Sequence, residues 1–163
     1  MKTYPLEPIR ALRMRKEEEA GRKLAAARAQ EAHCQGEVTS AQKALEDYRL
    51  WMEEEASRLF QRVLGKLHPI HQVTDVTHQI SWNRSKQSTY VVALDEARKQ
   101  LEEAKQETER CLHEHEEAYK EVWKINQHHD FWKKEQMLQE AQAEEADIEE
   151  IAATIFAMRE VEE

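Results

Sequence analysis

The sequence is poor in everything that turns a chain or marks a reactive site. Its 163 residues include only 3 glycines and 3 prolines, a composition that implies long helices joined by very little loop. The 2 cysteines, Cys34 and Cys111, are too few for a disulfide framework. No apolar run reaches about 18 residues, which excludes a membrane-spanning helix, and no secretory hydrophobic segment is present. A cytosolic protein is therefore expected. Phosphate-cradling glycine loops, a nucleophile elbow, an HExxH zinc motif and a CxxC pair are all missing.

The 8 histidines do not repair that lack. His113 with His115, and His128 with His129, have helical spacings that point the rings apart, whereas a zinc pair needs positions i and i+4 on one face. With 35% charged residues and a mean hydropathy of -0.91, most side chains stay in water. Two helices that share only a seam offer no walled cleft in which carboxylates could be tuned for acid and base work. The sequence thus predicts no enzyme, no cofactor and no metal.

What the chain does have is a heptad repeat, twice. Alternating steps of three and four residues visit Val73, Val76, Ile80, Asn83, Gln87, Tyr90, Leu94, Ala97, Leu101, Ala104, Thr108, Cys111, His115, Ala118, Val122, Ile125, His129 and Trp132. An earlier seam runs through Leu24, Ala27, Glu31, Cys34, Val38, Ala41, Leu45, Tyr48, Met52, Glu55 and Leu59, then meets the stop and turn residues Gly65, His68, Pro69 and Ile70. The pattern predicts an all-α fold: two long helices in an antiparallel coiled-coil hairpin, turning near Pro69.

Folding about Pro69 sets Ala41 across from Ala97, Cys34 from Ala104 and Ala27 from Cys111. A shifted register would instead set each alanine against a leucine or valine. The two cysteines are staggered by about seven residues, roughly 10 Å of helix, beyond disulfide reach. The fold also pairs Trp132 with Leu6, so the second seam should fail where the first arm runs out. It does fail, at Gln136, Gln139 and Ala143.

The organisation expected is a single hairpin over residues 1–163: an arm over 1–7, helix one over 8–66, a turn over 67–72 and helix two over 73–158. Pro5 and Pro8 keep the arm extended, and Pro8 suits the first helical turn. The first turns of helix one place Ile9, Leu12, Lys16, Ala20 and Leu24 at repeated four-residue steps, a stripe outside a strict heptad. Weak helix formers between residues 77 and 89 predict fraying or a local break.

Helix two outlasts its partner from about Lys133. Ile148, Ile151, Ile155 and Met158, with Phe156 beside them, form a fresh apolar stripe there, which reads as a binding surface. The net charge of -9 argues against nucleic acid. Its distribution is uneven: Arg10, Arg13, Arg15, Lys16, Arg22, Lys23 and Arg28 make the first turns basic apart from the run Glu17 to Glu19, whereas Glu135, Glu140, Glu144, Glu145, Asp147, Glu149, Glu150, Glu160, Glu162 and Glu163 make the last stretch acidic, with Arg159 among the few opposing charges. Such runs are ordinarily solvated faces, with electrostatic steering the alternative.

Trp51, Phe60, Leu64 and Trp82, with Leu50, miss the seam positions and gather toward the turn. Tyr119, Trp123 and Phe131 do the same near the termini, beside Tyr4, Leu6 and Ile9. Tryptophan and tyrosine are frequent interface anchors, so a partner surface is expected at each end.

Three stretches carry a likeness. Tyr4-Pro5-Leu6-Glu7-Pro8 followed by Arg10, Arg13 and Arg15 resembles the start of the YscO family of bacterial type III secretion stalk proteins, relatives of the flagellar FliJ export component. Tyr48-Arg49-Leu50-Trp51, then Glu53, Glu54, Arg58, Leu59 and Phe60, is similar to another segment of that family. So is Trp132-Lys133-Lys134-Glu135 with the Ala/Glu-rich run to Ile148. The likeness spans most of the chain and thins between Leu64 and about Leu94.

That resemblance implies a noncatalytic coiled coil standing in the pore of a hexameric secretion ATPase on the cytoplasmic side of the apparatus. It also implies contacts with the cytoplasmic ring of the export gate and with export chaperones. Tyr48, Leu50, Trp51, Phe60 and Trp82 would then face the gate, while Tyr4, Leu6, Arg10, Arg13, Ile148, Ile151, Ile155 and Phe156 would meet the ATPase. A monomer in isolation is expected. The competing reading is a self-assembling structural coiled coil in which the overhang pairs with a second copy.

Overall fold

A computed structural model describes residues 3–65, 67 and 69–161, with side chains through residue 155. Two α-helices pack against each other, α1 over Glu7–Val63 and α2 over Ile70–Val161. No strand occurs among the described residues. The chain divides into two compact units, Arg22–Leu112 on one hand and Met1–Gly21 with His113–Glu163 on the other.

In the Arg22–Leu112 unit the heptad residues are the core. Cys34, Val38 and Leu45 from α1 cluster with Leu94, Leu101 and Ala104 from α2, and Ala41, Tyr90, Val91 and Ala97 pack around them. A second cluster joins Leu24, Ala27 and Cys111. The two thiols therefore lie buried in separate clusters, as the stagger requires. Tyr48 stacks on Tyr90 with ring centroids 4.5 Å apart.

α1 ends where its chemistry says it should. Leu64 still donates its N–H to the Phe60 carbonyl at 3.0 Å. Gly65 then takes φ +75, a left-handed conformation that glycine adopts without a Cβ penalty and that closes helices at this position. Pro69 accepts from the Gln72 N–H at 3.0 Å, so its carbonyl opens α2. The connection thus spans residues 64–69, as long as the 67–72 expected from sequence but three residues earlier, because α1 ends at Val63 and α2 begins at Ile70 rather than Val73.

The break expected between residues 77 and 89 does not occur; α2 is continuous there. The hydroxyls that lower helix propensity turn back onto the helix instead. Thr77 bonds the Thr74 carbonyl, Ser85 that of Trp82, Ser88 that of Ser85 and Thr89 that of Lys86, all at 2.7–2.8 Å. Their side chains are satisfied without competing for the helical N–H groups.

In the other unit the arm is not extended through Glu7. The Tyr4 carbonyl accepts the Glu7 N–H at 3.2 Å across a turn that holds Pro5, whose fixed φ suits that position. The turn tucks Tyr4 against α2, and the first helical turn follows at once.

The stripe expected over Ile9, Leu12 and Lys16 is not the packed one either. Ile9 is 44% and Leu12 52% exposed, whereas Leu6, Arg10, Arg13, Glu17 and Ala20 are half-buried and keep the heptad unbroken to Leu24. Polar residues fill these seam positions because α2 supplies partners. Arg10 Nε donates to Asn126 Oδ1 at 2.9 Å, Arg13 Nη1 donates to the Glu121 carbonyl at 3.1 Å, and His115 Nε2 lies 3.0 Å from Glu17 Oε1. His115 also sits over Gly21, nearer the N terminus than the Lys23 that a fold about Pro69 would place there. The pairing there is thus displaced by about two residues from a fold about Pro69.

Candidate functional site

Among the described residues, no group of three or more His, Cys, Asp or Glu could hold a metal ion, and no helix is long and apolar enough to cross a membrane. Exposed apolar patches occur in each of the two units.

In the Arg22–Leu112 unit, Leu50, Trp51, Phe60, Leu64 and Trp82 are all exposed, at 45–69%. Trp51 leans on Tyr48 with centroids 5.3 Å apart, which fixes the indole beside the seam. Tyr48 itself is half-buried: its hydroxyl donates to the Asn83 carbonyl at 2.8 Å. Burial, and then the neighbouring Tyr90, push its phenol above the ordinary value. Tyr48 is thus a support for Trp51 more than a free anchor. Lys86 Nζ stands 5.3 Å over the Trp82 ring, a cation–π contact that orients the second indole. Leu67 and Ile70, the most exposed large apolar residues described in the unit, were not read from sequence as partner residues, Ile70 being taken only as part of the turn. Their one signal was that they flank Pro69 at a turn.

A half-open cleft of about 280 Å³ lies between the helices near the turn, lined by Leu59, Arg62, Val63, Gln72, Asp75, Val76 and Gln79. Close by in sequence, Glu55 occupies a seam position and is only 9% exposed. Its carboxylate pairs with Arg58 at 2.5 Å, and that pairing raises the Arg58 pKa. Arg58 is largely solvated, so the bridge offsets little of the cost of holding Glu55 in the seam. Glu55→Leu is expected to stabilise this unit by about 1–2 kcal/mol, read as a higher melting temperature by circular dichroism. A lower one would show that Glu55 fixes the pairing rather than opposing it.

In the other unit the predicted residues divide. Tyr4 is 5% exposed, with its hydroxyl 2.7 Å from His128 Nδ1 and its ring against His129 and Trp132. Leu6, Arg10 and Arg13 are half-buried along α2. Arg13 Nη2 also meets Glu121 Oε2 at 3.1 Å. Lys124 first, and Arg13 as a lesser cause, hold the Glu121 carboxyl below the usual range. The contribution of these pairs is present at neutral pH and is lost as the pH falls through that lowered value. These four residues thus pack within the unit, and little of Tyr4 is exposed.

The free surface lies farther along α2. From Met137 to Ile155 every side chain is exposed, with Ile148, Ile151 and Ile155 at 54–66%. Asp147, Glu150 and Thr154 border Ile151 and Ile155 along a shallow groove. Phe156 and Met158, also singled out from sequence, lie outside the described side chains. Met137 and Leu138 are exposed as well and were missed, because they fall where the hairpin seam fails and the new stripe is only beginning. Tyr119 and Trp123, four residues apart on one face, stand exposed near the paired stretch.

A family model described as type III secretion protein YscO matches residues 5–154. The chain belongs to the YscO family. It is a type III secretion protein on that ground, and the two-helix fold agrees. A solved structure described as that of a candidate YscO homolog, CT670 from Chlamydia trachomatis, superposes with a TM-score of 0.82 and covers 100% of both chains at 18% identity. At that identity the likeness concerns the fold. No curated protein matches this YscO chain.

Proposed function

We propose that this YscO protein is a noncatalytic stalk and adaptor on the cytoplasmic side of the secretion apparatus. The unit holding both termini would enter the pore of the hexameric secretion ATPase. The Arg22–Leu112 unit would face the cytoplasmic ring of the export gate, and export chaperones are a further class of partner. The observation that carries this reading is the C-terminal stretch of α2, where an isoleucine stripe is exposed beyond the last half-buried seam residues, Trp132 and Gln136. A single helix with an apolar stripe is marginal in water and gains most by docking. Family membership supplies the setting, and the exposed indoles of the other unit supply a second surface.

The test is direct. Full-length protein is mixed with the purified cognate ATPase, and complex formation and ATP hydrolysis are measured; no complex at micromolar concentration would remove the stalk reading. Trp51→Ala with Phe60→Ala is expected to weaken binding to the gate ring by about tenfold or more, the effect of removing two aromatic anchors, while sparing the ATPase. The reverse pattern would invert the assignment of the two units.

A further inference from the structure

The exposed stripe of α2 is not a continuation of the hairpin seam. The side of α2 that packs on α1 is marked by Val122, Ile125, His129, Trp132 and Gln136, all buried or half-buried. The same steps lead on to Gln139, Ala143 and Ala146, which are polar or small. Ile148, Ile151 and Ile155 sit elsewhere on the helix. At about 100° per residue, their mean direction is rotated by about 100° from that of Ile125 to Trp132, and supercoiling widens the angle. Helix α1 therefore cannot be the element that covers them.

The charge around the stripe then discriminates among other occupants. Residues 135–158 contain Glu135, Glu140, Glu144, Glu145, Asp147, Glu149 and Glu150, seven acidic side chains, and no lysine or arginine. Glu140 with Glu144 and Glu145 with Glu149 stand at i,i+4, where like charges repel. The acidic run also lies toward the C-terminal end of the helix, where the backbone dipole already disfavours anions. In the paired stretch, by contrast, Glu117 bonds Lys120 and Glu121 bonds Lys124, both at 2.7 Å. A second copy docked overhang to overhang would set seven carboxylates against seven. A cationic surface would relieve the repulsion within the helix as it binds.

We infer that the outer face of α2 around Ile148, Ile151 and Ile155 docks into an apolar groove rimmed by lysine and arginine on the ATPase. This rests on the stalk reading and adds to it the side of the helix used and the chemistry of the receiving surface. Contact is made by α2 alone, by isoleucines in the groove and by Glu144, Glu145 and Asp147 against the basic rim. Complementary charge of this kind sets encounter rate and register, and it makes binding salt-sensitive.

The experiment uses the full chain and the purified ATPase, with binding measured at about 0.05 M and about 0.5 M salt. Wild-type binding is expected to weaken about tenfold or more at the higher salt. Glu144→Lys with Glu145→Lys and Asp147→Lys should lose binding at low salt. Ala143→Gln with Ala146→Gln, on the side toward α1, should bind as wild type, and all variants should keep their helicity by circular dichroism. Salt-insensitive binding that tolerates the lysine variant overturns the inference and leaves the stalk reading standing. Loss of binding in the Ala143/Ala146 variant alone overturns it by moving the contact to the α1 side. A stable dimer of the free chain by sedimentation, broken by Ile151→Asp, would overturn it in favour of a second copy. Absence of any wild-type complex would remove the stalk reading and this inference with it.

Discussion

Replacing Leu101 with alanine is expected to destabilise the Arg22–Leu112 unit by about 2–5 kcal/mol, the usual cost of a buried leucine truncation. Leu101 sits in one cluster with Leu45, Cys34, Val38, Leu94 and Ala104. This cluster is a seam between two helices, so no second layer is available to close over the cavity. Against a total stability of about 5–15 kcal/mol, one such change removes a large share. Leu45→Ala should act similarly, and the pair should not add simply because they share the cluster. Val92→Ala, at an exposed position of the same helix, should change stability by about 0.5 kcal/mol or less. Thermal unfolding followed by circular dichroism reads all four proteins. An equal effect at Val92 and Leu101 would mean that the heptad seam does not hold the hairpin.

The second large effect concerns binding. Ile151→Asp with Ile155→Asp is expected to abolish complex formation with the secretion ATPase, along with any stimulation of its hydrolysis. Two isoleucines exposed at 54–60% belong to neither core cluster, so the melting temperature should hardly move. Two further carboxylates in an already acidic helix would instead face whatever groove receives it, and a desolvated charge without a partner is costly. Aspartate is a weaker helix former than isoleucine by only tenths of a kcal/mol, which limits the helical loss. Unchanged binding with these substitutions would remove the C-terminal stretch of α2 from the interface. Lost binding together with lost helicity would be resolved by Ile151→Gln with Ile155→Gln, which removes the apolar contact without adding charge.

The order of residues already specified the two helices, a turn near Pro69 and nearly every core residue from Leu24 to Trp132. That was possible because a repeat of three and four residues is local information: a side chain's position on the helix follows from its number alone. The isoleucine stripe was legible for the same reason. How the first turns of α1 pack follows instead from what stands across from them in three dimensions. Arg10, Arg13 and Glu17 look like solvent-facing residues, and Ile9 and Leu12 look like core. The polar set takes the seam because Asn126, Glu121 and His115 stand opposite to satisfy it. Tyr4, read as an exposed anchor, is buried on His128, His129 and Trp132 for a related reason. Whether a polar or amphipathic side chain is buried depends on the partner it meets across the fold, and that pairing is fixed by register, which periodicity leaves open.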